Sequence, residues 1–359
     1  MKKVAILTGG GDCPGLNAVV RAITKTAITK YGVEVIGYVD GYRGFVENRW
    51  KPLTLNDVEE IIDKGGTIIG TSNSDNPFKF LKTRDSEPVD MSDICIQQMK
   101  DLGVDCLFVV GGDGTLTSGR DFSRKGFPVI GVPKTIDNDL NATDITFGFN
   151  TAVTNAVDAM DKLKTTAESH KRIMLVEIMG RYAGWLTLET GIAGAASAIL
   201  LPEIPYDIDK LCDFLKEKTE NGQKYCMVAV SEGAKPKDGE ITISRIVGYS
   251  PDSVRLGGVS TKLAAQIEEK TGIETRATIL GHVQRGGQTS AYDRVLSTKY
   301  GVKAMELAME GNFGKMVAMV DGKVSYTTLE EAVGQLKTVP TDNCELLETA
   351  KSMGVYFGD

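Results

Sequence analysis

VIGVPKTIDNDLNATDITFGFN, residues Val129 to Asn150, begins as an apolar, β-branched run and changes character at Pro133. Such a run reads as a buried strand, and proline cannot continue a central ladder. Lys134, Thr135, Asp137, Asn138 and Asp139 follow within six positions. This polar cluster is expected on the loop at a strand's C-terminal end, where open parallel α/β sheets bind ligands. Asp137 and Asp139, with a lysine and a threonine beside them, suit a general base and a metal-positioning group. A D-N-D run is also a common polar turn, so its neighbours have to decide.

The same design recurs on either side. Val4 to Leu7 is apolar and runs into Thr8-Gly9-Gly10-Gly11-Asp12-Cys13-Pro14-Gly15, then a helical pattern from Leu16 to about Lys30. Cys106 to Val110 runs into Gly111-Gly112-Asp113-Gly114-Thr115, then a second helix from Leu116. Strand, glycine loop, helix presents backbone N–H groups and a helix N-terminus to an anion. Neither loop is a standard P-loop. One glycine loop is a weak sign, but three such loops in one βα series point to a polyphosphate or nucleotide site.

Further on, Arg172 to Ile178 ends in MGRYAGW (Met179 to Trp185), and Tyr225 to Ser231 ends in Ser231-Glu232-Gly233. DGYRG (Asp40 to Gly44) reads as a loop with an exposed aromatic, and residues 74–90 as a mobile surface loop. Met316 to Asp359 reads as a strand, a short helix and an irregular tail. The alternation predicts an α/β fold with mostly parallel sheets.

At 359 residues the chain suits two domains better than one. A formal net charge of −7 argues against a general nucleic-acid or membrane-surface binder, though not against an anionic substrate in one cationic cleft. The six cysteines form no C-x-x-C pair and read as buried, reduced thiols. Only His170 and His282 occur, which excludes a histidine-rich metal site. No run approaches 18 apolar residues, so a cytoplasmic protein is expected.

Arg172, Arg181, Arg276, His282 and Arg285 form a cation set near strand ends, and arginine's fork suits phosphate. Glu232, also at a strand end, could accept sugar hydroxyls. Asp137 would take a proton from an attacking hydroxyl, while Asp113 and Asp139 would hold Mg²⁺ shared with phosphate oxygens. Thr135 could hydrogen-bond the transferred phosphoryl. Together these meet the needs of phosphoryl transfer, which is mostly alignment and charge neutralisation. Nucleophilic catalysis lacks a G-x-S-x-G, and an NAD-dependent oxidoreductase lacks a G-x-G-x-x-G after the first strand. A non-catalytic sugar-phosphate sensor would have no need of Asp137, Asp113 and Asp139 together.

LTGGGDCPGLN, DGYRG, KGGTIIG, GGDGTL, GVPKTIDNDL, MGRYAGW, SEG and RATILGHVQRGG occur here in the order of the 6-phosphofructokinase family, which the chain resembles from Val4 to about Val320. The resemblance implies two lobes, each a mostly parallel sheet flanked by helices. Residues 1–148 and 285–333 would form the phosphoryl-donor lobe; residues 149–284 and 334–359 would form the fructose 6-phosphate lobe. It implies Mg²⁺-dependent phosphorylation of the 1-hydroxyl of fructose 6-phosphate, with Asp137 as base, helped by Thr135 and Arg181. Asp113 and Asp139 would belong to the metal region. Thr135, Asp139, Met179, Gly180, Arg181, Glu232, His282 and Arg285 would hold the sugar phosphate, with Arg172 and Arg276 reaching it from a neighbouring subunit of a homo-oligomer. Gly11, Tyr42, Asn73, Gly112, Asp113, Gly114, Thr115 and Lys134 would line the donor site.

Two positions in that family sort ATP from pyrophosphate. Pyrophosphate enzymes carry Asp where this chain has Gly114, and Lys where it has Lys134; typical bacterial ATP enzymes carry Gly at both. Gly114 leaves the nucleotide's α-phosphate region open, so ATP is the expected donor and pyrophosphate the alternative. The family commonly has Arg where this chain has Asn73, and Lys79 or Arg84 would substitute. Of the bacterial effector-site positions Arg21 matches, whereas Lys25, Leu55, Lys164 and Ser197 depart, so the usual effectors are not expected.

Overall fold

The computed structural model describes residues 1–83, 86–246 and 254–359. In chain order, the first half holds β1 (Lys3–Thr8), α1 (Leu16–Tyr31), β2 (Glu34–Tyr38), α2 (Gly41–Val46), β3 (Trp50–Pro52) and α3 (Leu55–Val58). It continues through α4 (Ser92–Asp101), β4 (Cys106–Gly111), α5 (Asp113–Arg124), β5 (Val129–Thr135) and β6 (Phe147–Gly148). The 22-residue α6 (Phe149–His170) leads into β7 (Ile173–Ile178), α7 (Trp185–Ala193), β8 (Ala198–Leu200), α8 (Ile208–Glu220) and β9 (Cys226–Ser231). A hairpin of β10 (Ile243–Ile246) and β11 (Val254–Leu256) precedes α9 (Val259–Thr271) and β12 (Thr275–Ile279). Then α10 (Ala291–Met309) returns the chain to β13 (Lys315–Val320) and β14 (Lys323–Thr328), followed by α11 (Leu329–Ala332) and α12 (Glu345–Ser352).

The strands make two main sheets. One has the order β14-β13-β5-β4-β1-β2-β3, with β6 on β5; the other has the order β12-β7-β9-β8. The second is parallel throughout. The first is parallel except where β3 and β14 turn back at its two edges. Parallel pairing puts the turns that follow β1, β4 and β5 at the same sheet edge, and does the same for β7, β9 and β12.

Alternation along β1 shows how the layers form. Val4 and Ile6 enter one core with Val19 and Ile23 of α1 and Tyr300 and Ala304 of α10. Ala5 and Leu7 enter the other with Met99 of α4 and Phe122 of α5. Side chains on successive strand residues point to opposite faces, so both faces of this strand are covered by helix. The first of these cores continues through Phe149, Ala156 and Met160 of α6 to Met174 and Val176 of β7. A single apolar layer thus joins the two sheets. The far face of the second sheet packs on α8 and α9 through Leu175, Val228, Leu211 and Leu263.

Three local expectations are corrected. DGYRG begins a short helix, and Tyr42 is buried among Tyr38, Phe45 and Phe122 because its ring completes an aromatic cluster. Residues 74–83 and 86–90 carry a 3₁₀ turn (Pro77–Lys79) and a Phe80–Val89 bridge, so this stretch is tied down. The tail after β14 is ordered on the molecule, with Val339, Leu347 and Phe357 in the core. All six cysteines are buried and unpaired, and among the described residues no helix is long and apolar enough to cross a membrane.

The α1–α10 crossing requires Gly301. A Cβ there would come within 2.6 Å of the Ala22 Cβ and 2.9 Å of the Val19 carbonyl. Gly301→Val should lower the urea midpoint by the equivalent of about 1–3 kcal/mol, the usual cost of overpacking. An unmoved midpoint would contradict this contact.

Candidate active site

The turns after β1 and β4 are keyed together by one side chain. A Cβ at Gly9 would lie 2.6 Å from the Thr115 Cγ2, and one at Gly111 would overlap the same methyl group. The missing side chains leave the gap that Thr115 fills. Gly9 N–H donates to the Val110 carbonyl at 2.9 Å, which ties the two turns by backbone as well. Tyr42 does not line the cleft as expected; it is 2% exposed, and its hydroxyl donates to the Thr115 carbonyl at 2.8 Å from behind. Gly10 N–H donates to Ser72 O at 3.0 Å, which brings the exposed Asn73 next to the first turn. Lys79 is also exposed on that segment, and Arg84 lies outside the described residues.

Helix α5 starts at Gly112 without a side-chain cap, so its first N–H groups stay available to an anion. Asp113 stands in that first turn, its Oδ1 accepting from Gly334 N–H at 3.1 Å. A Cβ at Gly114 would meet nothing within 4 Å. The space in front of Gly114 is therefore open.

Lys134 ends inside the first glycine turn. It is buried, and its Nζ donates to the Gly11 carbonyl. Burial pushes its pKa down. The Arg285 guanidinium packs on the other side of Gly11, where a Cβ would overlap it. Cys13, in the same turn, is buried, and burial pushes its thiol up to about 12. It is a packing residue, not a nucleophile.

The loop after β5 turns on Asn138, which holds a left-handed backbone (φ 51°) between the two carboxylates. Thr135 Oγ1 accepts the Asp137 N–H at 3.1 Å. Asp137 Oδ1 is buried and has no protein hydrogen-bond partner. Burial pushes the Asp137 carboxyl up to about 7, the Asp139 and Glu232 charges add to this, and Arg285 and Lys134 oppose it. Burial also raises Asp139; a Thr135 hydrogen bond works against that, and the Asp113 charge adds to it.

From the second sheet come Met179, Gly180 and Arg181 after β7, and Glu232 after β9. Gly180 needs its φ of 137°, and its carbonyl accepts from Ser231 Oγ at 2.5 Å. A Cβ on Gly233 would overlap the Arg181 carbonyl, so the two turns lie against each other. Arg181 Nη2 donates to Val254 O at 2.6 Å. Burial raises Glu232, against the nearby Arg181 and Arg285 charges. Thus four carboxylates (Asp113, Asp137, Asp139, Glu232) share one cleft with Lys134, Arg181 and Arg285. His282 is exposed in the 3₁₀ turn Gly281–Arg285 after β12.

Among the described residues, no group of three or more His, Cys, Asp or Glu could hold a metal ion alone. A hard cation that takes one or two carboxylates plus phosphate oxygens and water needs no such cage. Asp113 and Asp139, close enough for one charge to raise the other, fit that donor set.

A sequence model of the family described as phosphofructokinase matches residues 3–308. The chain belongs to the phosphofructokinase family. It is 58% identical over 363 residues to the ATP-dependent 6-phosphofructokinase 2 of Clostridium perfringens, covering 100% of this chain and 99% of that protein. It is 45% identical to the pyrophosphate–fructose 6-phosphate 1-phosphotransferase of Amycolatopsis methanolica, covering 99% and 100% respectively. A solved Pichia pastoris phosphofructokinase superposes with a TM-score of 0.79 at 31% identity, over 98% of this chain and 36% of that longer one.

Two of the arginines expected on phosphate stand apart from this phosphofructokinase cleft. Arg172 precedes β7 and pairs with Glu274 at 2.7 Å; Arg276 is in β12 and pairs with Glu268 and Glu274 at 3.0 and 2.5 Å. They sit at the strands' N-terminal ends, about 20–26 Å of strand from Gly180. One chain does not bring them to Asp137.

Sequence reasoning missed three supports. Gln284, inside the LGHVQR motif, accepts the Met179 N–H at 2.9 Å and is buried. Glu177 accepts from Gly258 and Ser260 N–H and so caps α9 from another strand. Lys337 lies in the segment read as an irregular tail. Gln284 had a motif to mark it, while the other two had no local signature.

The packed first turn yields a check. At pH 8 the folded protein should leave all six thiols slow toward a thiol reagent, and unfolding should release them together. A fast native Cys13 would contradict the packing around Gly11 and Gly148.

Proposed function

We propose that the protein is an ATP-dependent 6-phosphofructokinase, transferring the γ-phosphoryl of ATP to the 1-hydroxyl of fructose 6-phosphate as a glycolytic step in the cytoplasm. One observation carries the reading: the Asp137 carboxylate is unpaired and buried at Oδ1, at the meeting point of the donor-side turns and the Arg181–Glu232 side. A base must face its proton donor with a free oxygen. The sugar hydroxyl would lose its proton to Asp137 while its oxygen bonds to the γ-phosphorus. The bond from that phosphorus to the β–γ bridging oxygen breaks, and ADP leaves. Lys134 offsets the charge on the transferred group, and Thr135 hydrogen-bonds it. Glu232 accepts sugar hydroxyls, while Arg181, Arg285 and His282 hold the 6-phosphate, with Met179 and Gly180 beneath it. Asp113 and Asp139 would hold Mg²⁺, which when bound neutralises phosphate charge.

The donor-side turns, Asn73 and Thr115 would form one lobe (residues 1–148 and 285–333), and residues 149–284 and 334–359 the other. A second copy of the chain would contribute Arg172 and Arg276, which this chain's own cleft does not use. The open space at Gly114 supports ATP. Lys134, the residue that pyrophosphate enzymes of the family carry, keeps pyrophosphate as the alternative donor and does not by itself exclude ATP.

Initial rates with fructose 6-phosphate and Mg²⁺ separate the two donors. ATP should be preferred, and Gly114→Asp should cut kcat/KM for ATP by about tenfold or more through charge repulsion. A wild-type preference for pyrophosphate would overturn the donor assignment. Asp137→Asn should lower kcat by ~10²–10⁴-fold while calorimetry still detects fructose 6-phosphate binding. Full activity in that variant would overturn the base assignment.

A further inference from the structure

The segment Gly334–Val339, read from sequence as part of an irregular tail, runs along the cleft and touches both of its sides. Gly334 N–H donates to Asp113 Oδ1 at 3.1 Å. Leu336 forms an isolated bridge with Leu140. Lys337 N–H donates to the Asp139 carbonyl at 2.9 Å. The Lys337 carbonyl accepts from Trp185 Nε1 at 2.9 Å, at the start of α7. Val339 N–H and Gly184 N–H both donate to Glu203 Oε1, each at 2.8 Å. In six residues the strap joins the loop after β5 to the MGRYAGW turn after β7.

The Lys337 side chain is the tightest part of this strap. Its Nζ donates to the carbonyls of Thr143 at 2.8 Å and Asp144 at 3.0 Å, and to Asn138 Oδ1 at 3.3 Å. The ammonium has three protons and here finds three acceptors, all on residues 138–144. Its position over the Trp185 ring, 5.8 Å from the centroid, adds a cation–π contact to the opposite wall.

Asn138 is the critical partner. It holds φ 51°, a left-handed conformation that asparagine adopts more readily than most residues, and lies between Asp137 and Asp139. Its side chain is what holds it there. Oδ1 accepts from Thr146 N–H at 3.0 Å as well as from Lys337, and Nδ2 donates to the Asp144 carbonyl at 3.3 Å. If those bonds are lost and the Asn138 backbone relaxes, Asp137 and Asp139 on either side of it are redirected.

We propose that Lys337 is a positioning residue: it clamps Asn138 and the Thr143–Asp144 backbone, and so fixes where Asp137 and Asp139 point. This inference rests on the assignment of Asp137 as the base. Lys337 touches neither substrate in this account and acts only through Asn138 and the backbone. Positional errors near 1 Å can cost about 10²-fold in rate, so losing the clamp should act on turnover before it acts on binding.

The test uses the full-length protein with Lys337→Met, which keeps the stem and removes the donors, and Lys337→Arg, which restores donors. The first expectation is a kcat at least about tenfold lower for Lys337→Met, with KM for fructose 6-phosphate within about twofold and a partial recovery in Lys337→Arg. The second is read without substrate or metal. Amide hydrogen exchange should quicken in residues 136–146 of Lys337→Met and stay as in wild type in β1 and β4. Trp185→Phe, which removes the donor to the Lys337 carbonyl and weakens the ring contact with the Lys337 ammonium, should shift both readouts the same way by a smaller amount, and carries the test if Lys337→Met fails to fold. Unchanged kcat, or a lower kcat with unchanged exchange in 136–146, would overturn the clamp. If wild type turned over neither donor, the assigned reaction would fall, and the exchange result alone would decide the clamp.

Discussion

Thr115 holds the site together. Its methyl group occupies the space left by two absent side chains, Gly9 at the end of one strand and Gly111 at the end of the next. That fit sets two anion-facing turns side by side, and parallel pairing of β1 with β4 and of β4 with β5 places the Thr135–Asp139 loop beside them. Any larger residue at either glycine would separate the turns. Tyr42 backs the same threonine through its carbonyl, which is why the ring is buried in place of lining the cleft.

Charge crowding follows from this convergence. Four carboxylates enter one partly buried cleft against Lys134, Arg181 and Arg285. Burial raises Asp137, Asp139 and Glu232 and lowers Lys134, so each group is held away from its relaxed ionisation. A fold does not gain stability from such crowding. It is the arrangement expected where charge will move during a reaction.

Much of this was legible because it is local. Strand, glycine turn and helix are adjacent in sequence at Thr8–Leu16 and at Gly111–Leu116, and the β-branched run into Pro133 announces the third loop. Long-range supports were not legible. Helices α6, α7 and α9 begin at Gly148, Gly184 and Gly258 without side-chain caps of their own. Their first N–H groups are met instead by Asp293, Glu203 and Glu177, which are far away in sequence. No capping pattern could reveal that. Lys337 is hidden for the same reason, since its acceptors lie nearly 200 residues earlier and its own segment has no periodicity. Arg172 and Arg276 show a further limit: sequence marks them as cations at strand ends, and only the fold shows that they flank the opposite end of the sheet, paired to Glu274.

The central claim is that this cleft moves a phosphoryl group to the 1-hydroxyl of fructose 6-phosphate. The most direct measurement is ³¹P NMR of the protein with ATP, Mg²⁺ and fructose 6-phosphate, following each phosphorus through the reaction. The expected result is loss of the γ-phosphate signal in step with a new phosphomonoester at C1 of the sugar, leaving ADP. Release of inorganic phosphate without a sugar product, or a phosphoester at another carbon, would contradict it.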